Sequence, residues 1–316
     1  MIQKYDILNF LRKRALTVVI AIAIFYIFLA VFSDVNLLVQ YFHKIDINLL
    51  FLILLSFAVS ILFKSLRQGQ ILKNIDINTS FKDNLVLYLS GLSMSITPLS
   101  VGQMIKSHYL LKYYHQPISK TLPIVIIERY HDVLALLFFS IIFVLANNIS
   151  ILKIPIFTIA IVFAVLTLAA RSSRLIKLFE GLTNKTRLFR KFQNKPSDFS
   201  KTLFSIFQRR VFFSCWCLSM VSWLFEAIGV SLCFMSLNIN FGFDLTSTFY
   251  FSSIIFGAIS LLPAGIGVTE VSFVHLLSSY GVGLSTSTAL ILLIRLSSLW
   301  FSTFIGIIAT RLVIRK

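Results

Sequence analysis

Long apolar runs and short polar breaks alternate along the chain. Six runs, at 16–32, 47–66, 121–146, 154–170, 211–237 and 286–312, approach or exceed the length of about 20 apolar residues that a helix needs to cross a bilayer. Two further runs are interrupted: 85–111 by Pro98 and Gly102, and 246–280 by Pro263, Gly265 and Gly267. Proline lacks the N–H that a helix interior uses and crowds the turn before it. Each interrupted run is therefore predicted to fold as two short helices about a break. The run at 16–32 follows Arg12, Lys13 and Arg14 in the manner of a secretory signal, but Ser33-Asp34 is a poor cleavage context, so it reads as a retained first helix.

Composition sharpens this picture. Of 316 residues, 57% are apolar and 13% charged, against about 25% charged in a soluble domain. A water-soluble enzyme and a disordered chain are both excluded on these grounds. The net charge of +17 would suggest nucleic acid in a soluble domain, but here it is loop charge. The segment 171–210 holds eleven Lys and Arg against Glu180 and Asp198, a net +9. Positive loops stay in the cytoplasm, so this segment and both termini are predicted inside. The loops near 35–46, 147–153, 238–245 and 281–285 carry only Lys44 and Lys153 and are predicted outside.

Orientation then forces a topology. Residues 67–82 form a linker on the inside, and Lys106, Lys112 and Lys120 lie inside too, so 85–111 is predicted to enter and leave by the cytoplasmic face. The run 246–280 dips in from the opposite side. The predicted fold is an all-α polytopic membrane protein, with about six spanning helices and two re-entrant helical hairpins in inverted-topology repeats. The repeats cover 1–146 and 147–316. Spacing supports them: Pro98 is followed by Gly102 and Arg129 at +4 and +31, and Pro263 by Gly267 and Arg295 at +4 and +32. Matched broken segments in two halves point to an inverted-repeat transport fold.

Several ionisable residues sit in apolar runs, among them Glu128, Arg129, Asp132, Glu226, Glu270 and Arg295. At roughly 2.5–3.5 kcal/mol each they would cost on the order of 15–20 kcal/mol before pairing, so they are expected to face an interior cavity. Glu128 and Asp132 share a helix face at i, i+4, and Arg129 reaches Asp132 at i, i+3. Arg295 has no acid nearby in sequence, and Glu270 or Glu226 is its expected partner. Alternatively its guanidinium grips a phosphate with two N–H groups. At each break, Pro98–Gln103 and Pro263–Glu270, the free N–H groups opening the second half-helix favour an anion, and glycine lets it approach closely. The competing readings are an ion-paired structural knot and ordinary helix packing. His108 and His275 read as structural, and Cys215, Cys217 and Cys233 as buried thiols. No phosphate-binding loop, nucleophile elbow or metal-spaced His/Cys cluster occurs, so no metal or cofactor is expected.

These residues resemble the flippase-like membrane domain known as the transmembrane region of lysylphosphatidylglycerol synthases. Arg67–Gly69, Pro98–Lys106, Glu128-Arg129-x-x-Asp132, Leu262-Pro263-x-Gly265-x-Gly267-x-x-Glu270 and Arg295 carry the resemblance. It implies a translocator that moves an anionic phospholipid or polyprenyl-phosphate-linked lipid between leaflets by alternating access. Arg129, Arg295, Lys106 and the break N-termini would hold the headgroup phosphate, and Glu128, Asp132 and Glu270 would balance the cations in the empty site. The implied partners are an anionic membrane lipid and an envelope-lipid biosynthetic enzyme, in the cell's inner or plasma membrane. The family usually has Gly-Glu followed by Arg in the first break, whereas this chain has Gly102-Gln103 and Lys106. Lysyl-transferring members carry a large soluble catalytic domain after the membrane part, and this chain stops at Lys316, so aminoacyl transfer is not expected. Two alternatives stand: a membrane enzyme acting on polyprenyl phosphate through Glu128 or Asp132, and a non-transporting subunit docking through the basic loop.

Overall fold

The computed structural model describes residues 24–29, 31, 33–43, 45–95, 103, 105–170, 196–205 and 207–314, and among these there is no strand. The first half contains α1 (Val35–His43), α2 (Ile47–Asn74), α3 (Phe81–Leu92), α4 (Ile105–Tyr114), the short α5 (Ile118–Thr121) and α6 (Pro123–Ala146). Then come α7 (Ser150–Ala170), α8 (Pro196–Ser205), α9 (Arg209–Ser236), α10 (Phe243–Ile259), α11 (Val268–Ser278), α12 (Leu284–Arg295) and α13 (Phe301–Ile314). A π-helical turn, Leu296–Trp300, joins α12 to α13. Five stretches are long and apolar enough to cross a membrane: Ile47–Asn74, Ile118–Ala146, Ser150–Leu168, Arg209–Ser236 and Leu284–Arg311. The protein is thus an all-α, multi-pass membrane protein. Of the expected first span only residues 24–29 and 31 are described, and they are helical.

The exposed surface explains why lipid is the solvent. Ile151, Ile154, Ile161, Val165 and Leu166 of α7 are all exposed, Ile154 by 79%. A helix apolar on every side and bare on most of them is stable in hydrocarbon and an aggregation hazard in water. Starts are fixed locally: Asp46 caps α2 through the Asn48 N–H at 2.8 Å, and Ser80 caps α3 through Asp83 N–H at 3.1 Å.

Two antiparallel long helices, α2 and α9, form the centre. Phe57 lies against Gly229, Phe63 stacks on Phe225 at 5.8 Å, and Arg67 reaches Ser219 at 2.7 Å. A Cβ on Gly229 would stand 3.0 Å from the Phe57 ring, so the missing side chain sets the spacing. Between α3 and α13 the approach is closer still, since a Cβ on Gly306 would fall 2.4 Å from the Ser93 backbone nitrogen.

The second interrupted run folds as helix, break, helix. Phe249 of α10 meets Tyr280 at 5.0 Å between ring centres, and Gly257 meets Gly265 and Thr269, so α10 and α11 run antiparallel. Proline is only part of this break: Leu261, Ala264, Gly265 and Gly267 all have positive φ, at 59°, 52°, 66° and 93°. A right-handed helix cannot pass through such residues. In the first run α3 and α4 pack together, with Gly91 seated against the Lys106 stem. Pro98 and Gly102, which define its break, lie outside the described residues, as does 171–195 of the basic segment.

Two expectations need correction. Arg67 does not open a linker. Helix α2 continues to Asn74 because Ile71 and Leu72 keep its buried face apolar, and Arg67 is wholly enclosed. Cys215 and Cys233 are buried, but Cys217 is exposed, since residues two apart on a helix point about 200° apart. Replacing Gly306 with Val should cost about 1–3 kcal/mol through overpacking, lowering the unfolding temperature of the detergent-purified protein. Gly283→Ala, with nothing within 4 Å of its added Cβ, should stay within about 0.5 kcal/mol.

Candidate functional site

The largest buried polar cluster draws on four helices. From α2, the Arg67 guanidinium donates from Nη1 to Asp132 Oδ1 at 2.6 Å and to Ser219 Oγ at 2.7 Å. From α4, Lys106 Nζ donates to Glu128 Oε2 at 2.6 Å and to Gln68 Oε1 at 2.9 Å. Trp223 of α9 adds its indole N–H to Asp132 Oδ1 at 3.3 Å. Arg67, Lys106, Glu128 and Asp132 are all buried, as burial of paired opposite charges requires. Glu128 and Asp132 share one face of α6 as expected, yet each holds a different cation.

Arg129 is set apart. Its Nη2 is 3.4 Å from Asp132 Oδ2, and its side chain is 41% exposed. The cluster therefore holds three cations, Arg67, Lys106 and Arg129, against two carboxylates. Arg67 Nε and Nη2, Arg129 Nε, Glu128 Oε1 and Asp132 Oδ2 are buried without a hydrogen-bond partner, three nitrogens against two carboxylate oxygens. Unmet buried donors of this kind are costly, and the excess of N–H groups suits an oxyanion. Gln103 is buried beside the cluster's hairpin but donates to Ser95 Oγ at 3.0 Å and touches none of the charges.

The second half builds a self-contained version. Arg295 Nε donates to Glu270 Oε1 at 2.7 Å, which settles Glu270, not Glu226, as its partner. Glu270 Oε2 accepts the Gly267 N–H at 2.7 Å, and Tyr26 OH donates to Oε1 at 3.1 Å. Arg295 Nη2 lies 3.4 Å from the Ala264 carbonyl. The break formed by Pro263, Gly265 and Gly267 thus has its own anion, and Gly267 supplies the left-handed backbone, φ 93°, that aims its N–H there. The two half-sites correspond with reversed sign. Helix α4 contributes the cation in Lys106–Glu128, and α11 contributes the carboxylate in Glu270–Arg295.

A third pair went unpredicted. Glu226 of α9 pairs with Lys64 and accepts from Ser60 Oγ at 3.1 Å and Tyr250 OH at 3.1 Å. Lys64 Nζ also sits 4.3 Å over the Trp223 ring. Sequence reasoning missed Lys64 and Trp223, and it quoted Arg67 and Gln68 only within the Arg67–Gly69 segment of the resemblance, with no place in the site. The signal available was the apolar period carried on by Ile71 and Leu72, which keeps Lys64 and Arg67 inside a helix.

Removing one partner of a buried pair strands the other. Asp132→Ala should destabilise the fold by about 3–5 kcal/mol, whereas Arg129→Ala, at a half-exposed and looser pair, should cost at most about 1 kcal/mol. Thermal unfolding of both variants in one detergent checks the contrast.

Comparison with known proteins agrees with this architecture. A UPF0104 membrane protein of Methanocaldococcus jannaschii is 26% identical over 290 residues, covering 84% of this chain and 85% of its own length. Another UPF0104 membrane protein, from Pyrococcus horikoshii, is 24% identical over 320 aligned residues, covering 93% of this chain and 95% of its own. Residues 17–306 match the family described as the lysylphosphatidylglycerol synthase TM region, and the chain belongs to that family.

Proposed function

We propose that the protein is a flippase-like lipid translocator, moving an anionic phospholipid or polyprenyl-phosphate-linked lipid between leaflets. The observation that carries this reading is the excess of positive charge and unmet N–H groups around Arg67, Lys106 and Arg129. A headgroup phosphate supplies the missing acceptors, and a guanidinium meets it with two parallel N–H groups. Glu128 and Asp132 hold the cations while the site is empty. Arg295 and Glu270 form the counterpart in the second half.

The correspondence of Lys106–Glu128 with Glu270–Arg295 supports inverted repeats over 1–146 and 147–316, with hairpins that re-enter from opposite faces. Both termini then lie in the cytoplasm of a cell with this protein in its inner or plasma membrane. Alternating access needs two bistable halves, and one lipid tail remains in hydrocarbon while its headgroup crosses. The translocator would serve an envelope-lipid biosynthetic enzyme.

Reconstituted vesicles test this. With tail-labelled fluorescent phosphatidylglycerol or a short-chain polyprenyl phosphate and an impermeant quencher, wild-type protein should exchange one of the two lipids between leaflets. Arg129→Ala should slow that exchange at least tenfold while remaining folded, and Arg67→Lys should slow it by losing the forked donor set. Arg295→Ala should also abolish exchange, accompanied by lower stability, because Glu270 is left unpaired. Wild-type protein that exchanges neither lipid across an imposed ion gradient would reject the reading in favour of a non-transporting subunit.

A further inference from the structure

One face of α2 collects a series of polar side chains that runs through the headgroup site at Arg67 and beyond it. Ser60, Lys64, Arg67 and Gln68 fall at i, i+4, i+7 and i+8, a single stripe about 12 Å long inside a membrane-spanning helix. Their partners lie on different helices: Ser60 and Lys64 bond to Glu226 of α9, Arg67 to Asp132 of α6, and Gln68 to Lys106 of α4 and Asn84 of α3. Trp223 links the stations, its ring beneath Lys64 and its N–H on Asp132. Lys64 and Glu226 are slightly open, at 13% and 10% side-chain exposure, whereas Arg67 is closed.

The other end of the stripe reaches a groove. A cavity of about 260 Å³ is lined by Gly69, Gln70, Lys73, Asn78, Thr79 and Asn84, with Leu66, Ile77 and Phe81 around them. Its lining has one cation, three side-chain amides, one hydroxyl and no carboxylate. Asn84 forms its inner wall, and the Asn84 Oδ1 accepts from Gln68 Nε2 at 3.0 Å. One hydrogen-bonded pair of side chains therefore separates the groove from Lys106.

We propose that this stripe is the headgroup track. The groove at Lys73 admits the hydroxyl-bearing phosphate headgroup of an anionic lipid, and the phosphate then passes Lys106 and Arg67 to a second station at Lys64. At each station it replaces a carboxylate that already presents the same acceptor geometry: Glu128, then Asp132, then Glu226. The proposal rests on the translocator reading and adds Lys64, Glu226 and the groove to it. No bond is made or broken, and no group is transferred.

The same vesicles, with tail-labelled phosphatidylglycerol at graded mole fraction, test the track. Lys64→Gln should lower the maximal exchange rate at least tenfold. Glu226→Gln leaves Lys64 without its competitor, so the half-saturating lipid fraction should fall as the maximal rate falls. Lys73→Gln should raise the half-saturating fraction at least threefold. Should Lys64→Gln fold poorly, the double variant Lys64→Gln/Glu226→Gln, which keeps a hydrogen-bonded amide pair, should fold and still exchange slowly. Wild-type exchange that Arg129→Ala blocks, with Lys64 and Glu226 variants at wild-type rate and saturation, overturns the track and leaves the translocator standing. Absent wild-type exchange overturns both.

Discussion

A charge enclosed by hydrocarbon has to meet its opposite there, and the packing of this bundle follows from where those meetings occur. Apolar helices in lipid gain little from one sliding position over another, because the tails around them are as apolar as Leu. A buried ion pair removes that freedom, since breaking one costs several kcal/mol. Arg67–Asp132 ties α2 to α6, Lys106–Glu128 ties α4 to α6, Lys64–Glu226 ties α2 to α9, and Glu270–Arg295 ties α11 to α12. Close contacts at Gly229 and Gly306 then become possible because the helices are already in register.

The two half-sites use the same plan to different ends. In the second, Glu270 closes the circuit by joining Arg295, Tyr26 and the Gly267 N–H, leaving the break satisfied. In the first, two carboxylates face three cations, and guanidinium N–H groups stay unmet. The two sites thus differ electrostatically: one is satisfied by its own partners and the other is not. Such inequality is what a ligand needs if its binding is to favour one arrangement of the halves over another.

Much of this was legible in the chain itself. The apolar runs located the long helices, and Pro263 with its glycines located the second break. The buried status of Glu128, Asp132, Glu270 and Arg295 follows from charges standing alone in apolar runs. Partner choice was less legible. Arg295 lies 25 residues from Glu270, and Arg67 lies 65 from Asp132, so only folding brings them together. Arg67 was misplaced because a charge after an apolar run resembles an interface residue, and helix ends are the weakest part of any pattern reading. Arg129 shows the converse, since its spacing to Asp132 was correct while Arg67 took the closer bond.

The π-helical turn Leu296–Trp300 gives one continuous rod two facings. A single surplus residue in a helix rotates everything beyond it by about 100° relative to a regular continuation. Before the turn, Arg295 looks toward Glu270. At its end Trp300 edges against Tyr26 at 6.2 Å, and beyond it Gly306 presses on the backbone at Ser93, just past α3. The second half's ion pair and the first half's hairpin are thereby borne on one shaft with an offset crank, so twisting that shaft at its widened turn moves both together.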